Sequence, residues 1–321
     1  MDESLSPSFS SGPKIVVIGC GAVGSTFAYT AVLRGLASEL VLIDASAAKA
    51  EGDALDLNHG LPFVPPVRIW AGDYHDADGA DIVVITAGAS QKPGETRLDL
   101  VKRNAAIFRD LVPRVAERAP RAILLVATNP VDILSYLTYK LSGFPSARVI
   151  GSGTLLDSAR FRYLIGQAAA VDPRSVHAYI IGEHGDSELP VWSRANIAGI
   201  SLTEPSPYWA LGGDPEQRRR LFEETRDAAY QIIDRKGATY YAIALALARI
   251  VEAMLRDENA VLTVSTLLQD FHGISDLYLG VPAVVGRGGV RQVIRPNLSS
   301  EELERLHNSA EVLRQTLASL L

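Results

Sequence analysis

The chain is predicted to be an α/β protein of two parts, a doubly wound parallel sheet over residues 14–152 followed by an α+β unit over residues 153–321. Three observations predict it. Six short runs, KIVVIG, ELVLID, VRIWA, DIVVITAG, AILLVATNP and RVIGSG, are apolar along their whole length, as strands buried on both faces must be. Helix-like stretches over 22–36, 49–58, 98–119 and 131–141 separate most of these runs, giving the strand-helix alternation of linked βαβ units. After about Ser152 that rhythm stops.

The second part begins with a helix over 155–169, LLDSARFRYLIGQAA, which holds no proline. SVHAYIIG follows as a strand, then helical periodicity over 215–256, then a β-rich stretch over 260–294 dense in Val, Leu and Thr. The chain closes on a helix whose start is marked by Ser299 three residues before Glu302, a capping-box spacing, and whose apolar face carries Leu303, Leu306, Leu313 and Leu317. Residues 1–13 are rich in Ser and Pro and precede the first strand, so they read as a flexible tail.

Composition narrows the function. With 31 basic and 37 acidic residues the net charge is −6, and no basic tract invites nucleic acid or anionic lipid. The run RRR at 218–220 lies between Glu216 and Glu223 and reads as a solvated helix face. One cysteine, Cys20, allows neither an internal disulfide nor a Cys-rich metal site, and no metal is expected. No start-transfer pattern or apolar span of membrane length is present, so a cytoplasmic protein is expected.

Gly19-Cys20-Gly21-Ala22-Val23-Gly24 fits G-x-G-x-x-G, follows KIVVI directly, opens a helix, and is followed 20 residues after Gly24 by Asp44 at the end of ELVLID. In that setting the motif is the fingerprint of a Rossmann-type dinucleotide site. Gly19 permits the tight turn, Gly21 lets the backbone approach a pyrophosphate, and Gly24 lets the helix pack on the strand. Asp44 accepts from ribose hydroxyls and repels a 2′-phosphate, which favours NAD over NADP.

Three further segments carry the chemistry. In GSGTLLDSARFR, Asp157 and Arg160 share a helix face, while Arg162 must point elsewhere. Arg160 offers a planar fork for a substrate carboxylate. In IGEHGDSE, His184 ends an apolar run, and Asp157 is suited to orient its ring and favour the imidazolium, giving a proton donor for a carbonyl and an acceptor from an alcohol. In GASQKPGETRLDL, Gly88, Pro93 and Gly94 mark a loop beyond the carboxyl end of a strand, on which Arg97 can close over substrate and exclude water.

Taken together, GAVGST, ALDLNHG, GASQKPGETRLDL, TNPVDI, LDSARFR and GEHGDSELPVW resemble the bacterial L-lactate dehydrogenases of the lactate/malate dehydrogenase superfamily, over essentially the whole chain after the tail. The resemblance implies reversible NADH-dependent reduction of pyruvate to L-lactate. It assigns His184 as the acid/base, Asp157 as its partner, Arg160 as the carboxylate clamp and Arg97 as the arginine that polarises the keto group. It further places Asn129 between nicotinamide and substrate, Thr239 on the long helix in the substrate pocket, and Val23, Lys49, Tyr74, Gly88, Ala89 and Ser152 at NAD. Gln91 stands where malate enzymes have an arginine, so the second carboxylate of oxaloacetate would be unpaired, at a cost of about 3–5 kcal/mol. In allosteric members of the family an arginine and a histidine matching Arg162 and His177 bind fructose 1,6-bisphosphate within a homotetramer. The alternatives are a malate or other 2-hydroxy-acid dehydrogenase, and a non-catalytic NAD-binding protein.

Overall fold

The structure is a computed structural model that describes residues 12–89 and 97–320, the side chain of Arg97 excepted. Its centre is β1 (Lys14–Ile18), paired in parallel with β2 (Glu39–Ile43) on one side and β4 (Ile82–Ile85) on the other. β3 (Arg68–Ala71) adds to β2, and β5 (Ile123–Val126) and β6 (Val149–Gly151) add in turn beyond β4. The order β3-β2-β1-β4-β5-β6 reverses between β1 and β4, and that switch point opens a crevice at the carboxyl ends of the strands.

Alternation along each strand divides the core. Val16, Ile18, Val41, Val83, Ile85 and Leu124 are buried on one face with residues of α3 (Arg97–Arg118) and α4 (Val131–Ser142). Ile15, Val17, Leu40, Leu42, Val84 and Leu125 are buried on the other, with residues of α1 (Ala22–Leu33), α2 (Ala47–His59) and α7 (Tyr241–Leu255). Both faces are covered, so the runs need no polar alternation. α1 stops three residues before the expected end, just ahead of Gly35 at φ +60°.

The second part does not stand apart from this sheet. β12 (Ala260–Leu268) joins antiparallel to β6 at Ser265 and Gly151, and β13 (Leu277–Gly286) and β14 (Gly289–Val293) continue outward, giving one mixed nine-stranded sheet. The helical stretch over 215–256 is two helices, α6 (Pro215–Lys236) and α7, because Gly237 at φ +83° ends α6 with its N–H on Ile233 O. α6 starts as its sequence dictates, with Asp214 accepting from Gln217 N and Pro215 in the first turn.

SVHAYIIG also divides. β7 (Val176–His177) lies in a small sheet with β10 (Asn196–Ile197) and β11 (Ile200–Ser201), whereas β8 (Ile180–Ile181) pairs with β9 (Leu189–Pro190). α5 (Leu155–Ala169) runs as expected, and α8 (Ser300–Ala318) has its capping box between Ser299 and Glu302, with Leu306, Leu313 and Leu317 buried. No helix among the described residues is long and apolar enough to cross a membrane.

Candidate active site

The glycine loop after β1 forms a cradle. Gly19 sits at φ +98°, and a Cβ there would lie 2.5 Å from Ala87 N, so only glycine lets this turn pass over the start of the loop after β4. A Cβ on Gly24 would fall 1.9 Å from Gly19 O and 2.6 Å from Thr86 Oγ1, which holds α1 against the turn. A Cβ on Gly21 meets nothing within 4 Å, so the space it leaves open faces away from protein.

α1 begins at that point with no side-chain cap and no acid in its first turn, leaving amide N–H groups to meet an anion. Asp44 follows β2 directly, its Oδ2 accepting from Cys20 N at 2.6 Å and its Oδ1 from Ser46 N at 2.9 Å. The set fits a dinucleotide: an open approach for the diphosphate, a free helix end, and a carboxylate for the ribose. Cys20 is fully buried, and burial pushes its thiol up to about 12, so it fills space and is not a redox group.

The loops after β4 and β5 are joined by Asn104 of α3, whose Oδ1 accepts from Ala89 N at 2.8 Å and whose Nδ2 donates to Asn129 O at 2.9 Å. Gly88 leaves room for Thr128, whose hydroxyl donates to Ala87 O at 2.8 Å. Gly88, Ala89, Asn129 and Ser152, which donates its N–H to Val126 O, thus all lie at the carboxyl end of the sheet.

The candidate acid/base group comes from the second part. His184 sits in the turn between β8 and β9, with its Nδ1 2.6 Å from Asp157 Oδ2. Arg160, one helical turn after Asp157 on α5, donates to Asp157 Oδ1 at 2.8 Å. Asp157 is buried, and a buried carboxylate needs such partners on both oxygens. Burial alone would push Asp157 up, but His184 and Arg160 hold it below the usual carboxylate range. Burial pulls the imidazolium of His184 down, and the Asp157 carboxylate outweighs it, raising His184 to about 9. The ring carries a proton at neutral pH, on a group a quarter exposed toward the cleft.

Two acids near this group were missed by sequence reasoning. Asp132, in the first turn of α4, is buried and accepts from His184 N at 2.8 Å and from Ser265 Oγ at 2.5 Å. Burial pushes it up to about 6, with those two donors working against the rise. Glu188, at the end of the histidine turn, is also buried, and its carboxyl oxygen lies within 4.8 Å of Asp157 and His184 ligand atoms. An Asp after NPV and a Glu before LP carry no local sign of burial, so no sequence signal marked either.

Other predicted residues are placed as follows. Gln91 lies outside the described residues, and Arg97 is the first residue of α3, with its side chain outside the description. Lys49 pairs with Asp53 on α2, and Tyr74, beyond β3, is half-buried with the Arg114 guanidinium 4.3 Å over its ring. Val23 is in the first turn of α1. Thr239 is not on a long helix: it lies in the break between α6 and α7 that Gly237 creates. Arg162 is half-buried and makes no ion pair among the described residues, and His177 is exposed on β7.

Residues 13–151 match the lactate/malate dehydrogenase NAD binding domain, and residues 154–321 match the alpha/beta C-terminal domain of the same family. The chain is 56% identical over 303 residues to an L-lactate dehydrogenase of Priestia megaterium, covering 94% of this chain and 95% of that one. It is 53% identical to L-lactate dehydrogenase 1 of Clostridium acetobutylicum, covering 96% and 98%. Among solved structures, a minor L-lactate dehydrogenase from Enterococcus mundtii in a ligand-bound form superposes with TM-score 0.93 at 45% identity, covering 97% of this chain and 99% of that one. With both halves of its length matched and its glycine cradle and His184–Asp157–Arg160 group in place, the chain belongs to the lactate/malate dehydrogenase family.

Proposed function

We propose that the protein is a cytoplasmic NAD-dependent L-lactate dehydrogenase, which interconverts pyruvate and L-lactate. The observation that carries this reading is the His184–Asp157–Arg160 chain, with contacts of 2.6 and 2.8 Å, at the cleft beside a dinucleotide cradle. Residues 14–152 hold the cofactor, and residues 153–321 supply the proton donor and the carboxylate clamp. NAD supplies the hydride chemistry when bound. Gly19, Gly21, Gly24 and Val23 receive the diphosphate, Asp44 the ribose, and Ser152, Gly88, Ala89, Tyr74 and Lys49 the remainder.

In the reducing direction His184 gives its proton to the substrate oxygen from the outer ring nitrogen, while Asp157 holds the other and stabilises the imidazolium. In the oxidising direction the neutral ring takes that proton back. Among the described residues Arg160 makes one contact, to Asp157, which leaves part of its fork for the substrate carboxylate. Arg97 polarises the keto group, Asn129 orients substrate at the nicotinamide side, and Thr239 lines the pocket. Gln91 rejects a second carboxylate, which separates this enzyme from the malate dehydrogenases.

Initial rates of NADH oxidation with pyruvate and with oxaloacetate test the assignment, and preference for oxaloacetate would overturn it. Gln91→Arg should raise the rate on oxaloacetate. His184→Asn should remove most but not all of the activity while NADH still binds, and unchanged turnover would refute the acid/base role. Arg162 and His177 support a finer reading, activation by fructose 1,6-bisphosphate at an interface within a homotetramer. A half-buried guanidinium without a carboxylate partner among the described residues and an exposed imidazole are suited to receive phosphate. A lowered KM for pyruvate and a larger assembly on adding the bisphosphate are expected, and their persistence in Arg162→Gln would sink that part.

A further inference from the structure

Glu188 has no role in the chemistry described so far, yet its position is costly. The residue is 6% exposed, its Oε1 has no hydrogen-bond partner, and a carboxyl oxygen lies within 4.8 Å of both a carboxylate oxygen of Asp157 and a ring nitrogen of His184. Two anionic carboxylates so close in a dry site repel each other, and although His184 and Arg160 attract both, only Asp157 has them in direct contact. Asp157 has His184 and Arg160 at 2.6 and 2.8 Å, whereas Glu188 has no ion pair among the described residues. A neutral carboxyl resolves both difficulties: it turns the repulsion into an O–H to carboxylate bond, and a carbonyl-type oxygen is far cheaper to leave unpartnered than an anionic one.

We propose that Glu188 is a positioning residue of the acid/base site, donating a hydrogen bond from its neutral carboxyl to Asp157 and so setting how strongly Asp157 holds the proton of His184. The inference rests on reading His184 as the proton donor. It makes the site a chain of four groups, Glu188 to Asp157 to His184 on one side and Arg160 to Asp157 on the other. Burial first, and then the charge of Asp157, raise the Glu188 carboxyl to about 9, in the sense this geometry requires.

The charged and titratable groups around the chain are Asp157 and Arg160 from α5, Asp132 from α4, and Glu183 and His184 from the same turn, while α8 contributes the neutral Ser309. Asp157, His184 and Glu188 could also be read as metal ligands. The guanidinium of Arg160 already supplies the counter-charge that a cation would bring, and the short His184–Asp157 contact occupies the atoms it would need.

The sign of the effect is testable. A donated hydrogen bond draws charge on Asp157 away from His184, so losing it strengthens the hold of Asp157 on the imidazolium and raises the pH at which His184 gives up its proton. If Glu188 were instead ionised, removing it would remove a negative charge and lower that pH.

The experiment is the pH profile of kcat/KM for pyruvate at saturating NADH, from pH ~6 to ~10.5, on the purified full chain and on Glu188→Gln and Glu188→Met. The parent profile should fall with a midpoint near about 9. Glu188→Gln keeps a donor and should hold that midpoint within about 0.3 unit, whereas Glu188→Met, of similar size and without a donor, should raise it by about half a unit. Downward shifts in both variants, or no shift in either, would overturn the proposal. Should Glu188→Met not fold, Glu188→Leu replaces it, and Glu188→Gln alone still separates a neutral from an ionised Glu188. His184→Asn distinguishes the two levels: if its residual activity keeps the same alkaline fall, the acid/base reading itself fails, and if the fall is lost while the Glu188 variants do not move, only the Glu188 proposal fails.

Discussion

Asp157→Asn isolates the electrostatic work in this site. His184 is raised from 6.5 to about 9 against the pull of burial, with Asp157 the foremost group raising it, a difference of 9 − 6.5, or ~2.5 units. At ~1.36 kcal/mol per unit that is about 3 kcal/mol of preference for the imidazolium. An amide cannot provide it, so His184 in the variant should titrate at or below ~6.5. At pH ~8 the protonated fraction then falls from about 0.9 to about 0.03, so pyruvate reduction should lose about 30-fold from protonation alone. At pH ~6, where most rings stay protonated in either protein, the residual loss reports only the altered geometry around Arg160. Steady-state NADH oxidation across pH ~5.5–10 separates the two. An alkaline fall that stays near about 9 in the variant, or a loss of equal size at both pH values, would refute the claim that Asp157 acts by holding the proton.

Further outcomes follow from other contacts. Gly24→Ala places a Cβ 1.9 Å from Gly19 O, and the strain should lower stability by ~1–3 kcal/mol and weaken NADH binding, read by thermal melting and NADH fluorescence. Gly21→Ala meets no protein atom, so its melting temperature should stay near the parent's while NADH binding weakens at least about tenfold; a normal NADH Kd would contradict the placement of the diphosphate. Asp132→Ala leaves the part-buried His184 N–H without that acceptor and should cost about 1–3 kcal/mol, with kcat falling too. Asp132→Asn keeps an acceptor for that N–H and should lose less by the same chemical-denaturation assay. His184 and Glu188 both hold a proton more tightly folded than unfolded, so their contribution is present below the unfolded values and lost as pH rises to about 9. The urea midpoint should therefore decline between pH ~6.5 and ~9.5, and Glu188→Gln should flatten part of that decline.

The first half of the fold was legible because its signals are local. A strand that is apolar at every position states that both its faces are covered, and Gly19, Gly21 and Gly24 mark the turn at its end whatever the rest of the chain does. The second half depends on contacts between distant segments. Nothing in AVLTVSTLL says that β12 will pair with β6, so the joining of the second part to the edge of the parallel sheet at Ser265 and Gly151 could not be read from the sequence. Helical periodicity continues through 215–256, and only the left-handed Gly237 moves Thr239 from a helix into a bend. Asp157, Arg160 and His184 were recognisable from residue type and spacing. Asp132 and Glu188 were not, since an acid's burial is decided by what packs over it, here β12 for Asp132 and α5 for Glu188.

That difference bears on how the two half-reactions are kept in register. His184 lies between two strands of only two residues each, which cannot by themselves hold a ring to the tolerance that proton transfer needs. Its turn is held from three other directions. Gly182 exchanges backbone hydrogen bonds with Gly280 of β13, Glu183 N donates to Ser309 Oγ of α8, and His184 N donates to Asp132 of α4. The last of these reaches into the first part of the chain. α4 starts at Val131, with only Pro130 between it and Asn129, so the residue proposed to sit beside the nicotinamide and the carboxylate that grips the histidine turn are three positions apart at one helix start. Asp132 is in turn bound by Ser265 of β12, the strand that joins the second part to the sheet. A displacement of the histidine turn relative to the cofactor cradle must therefore break a part-buried contact to the Asp132 carboxyl, and the geometry between hydride and proton is carried by the sheet rather than by the surface loops.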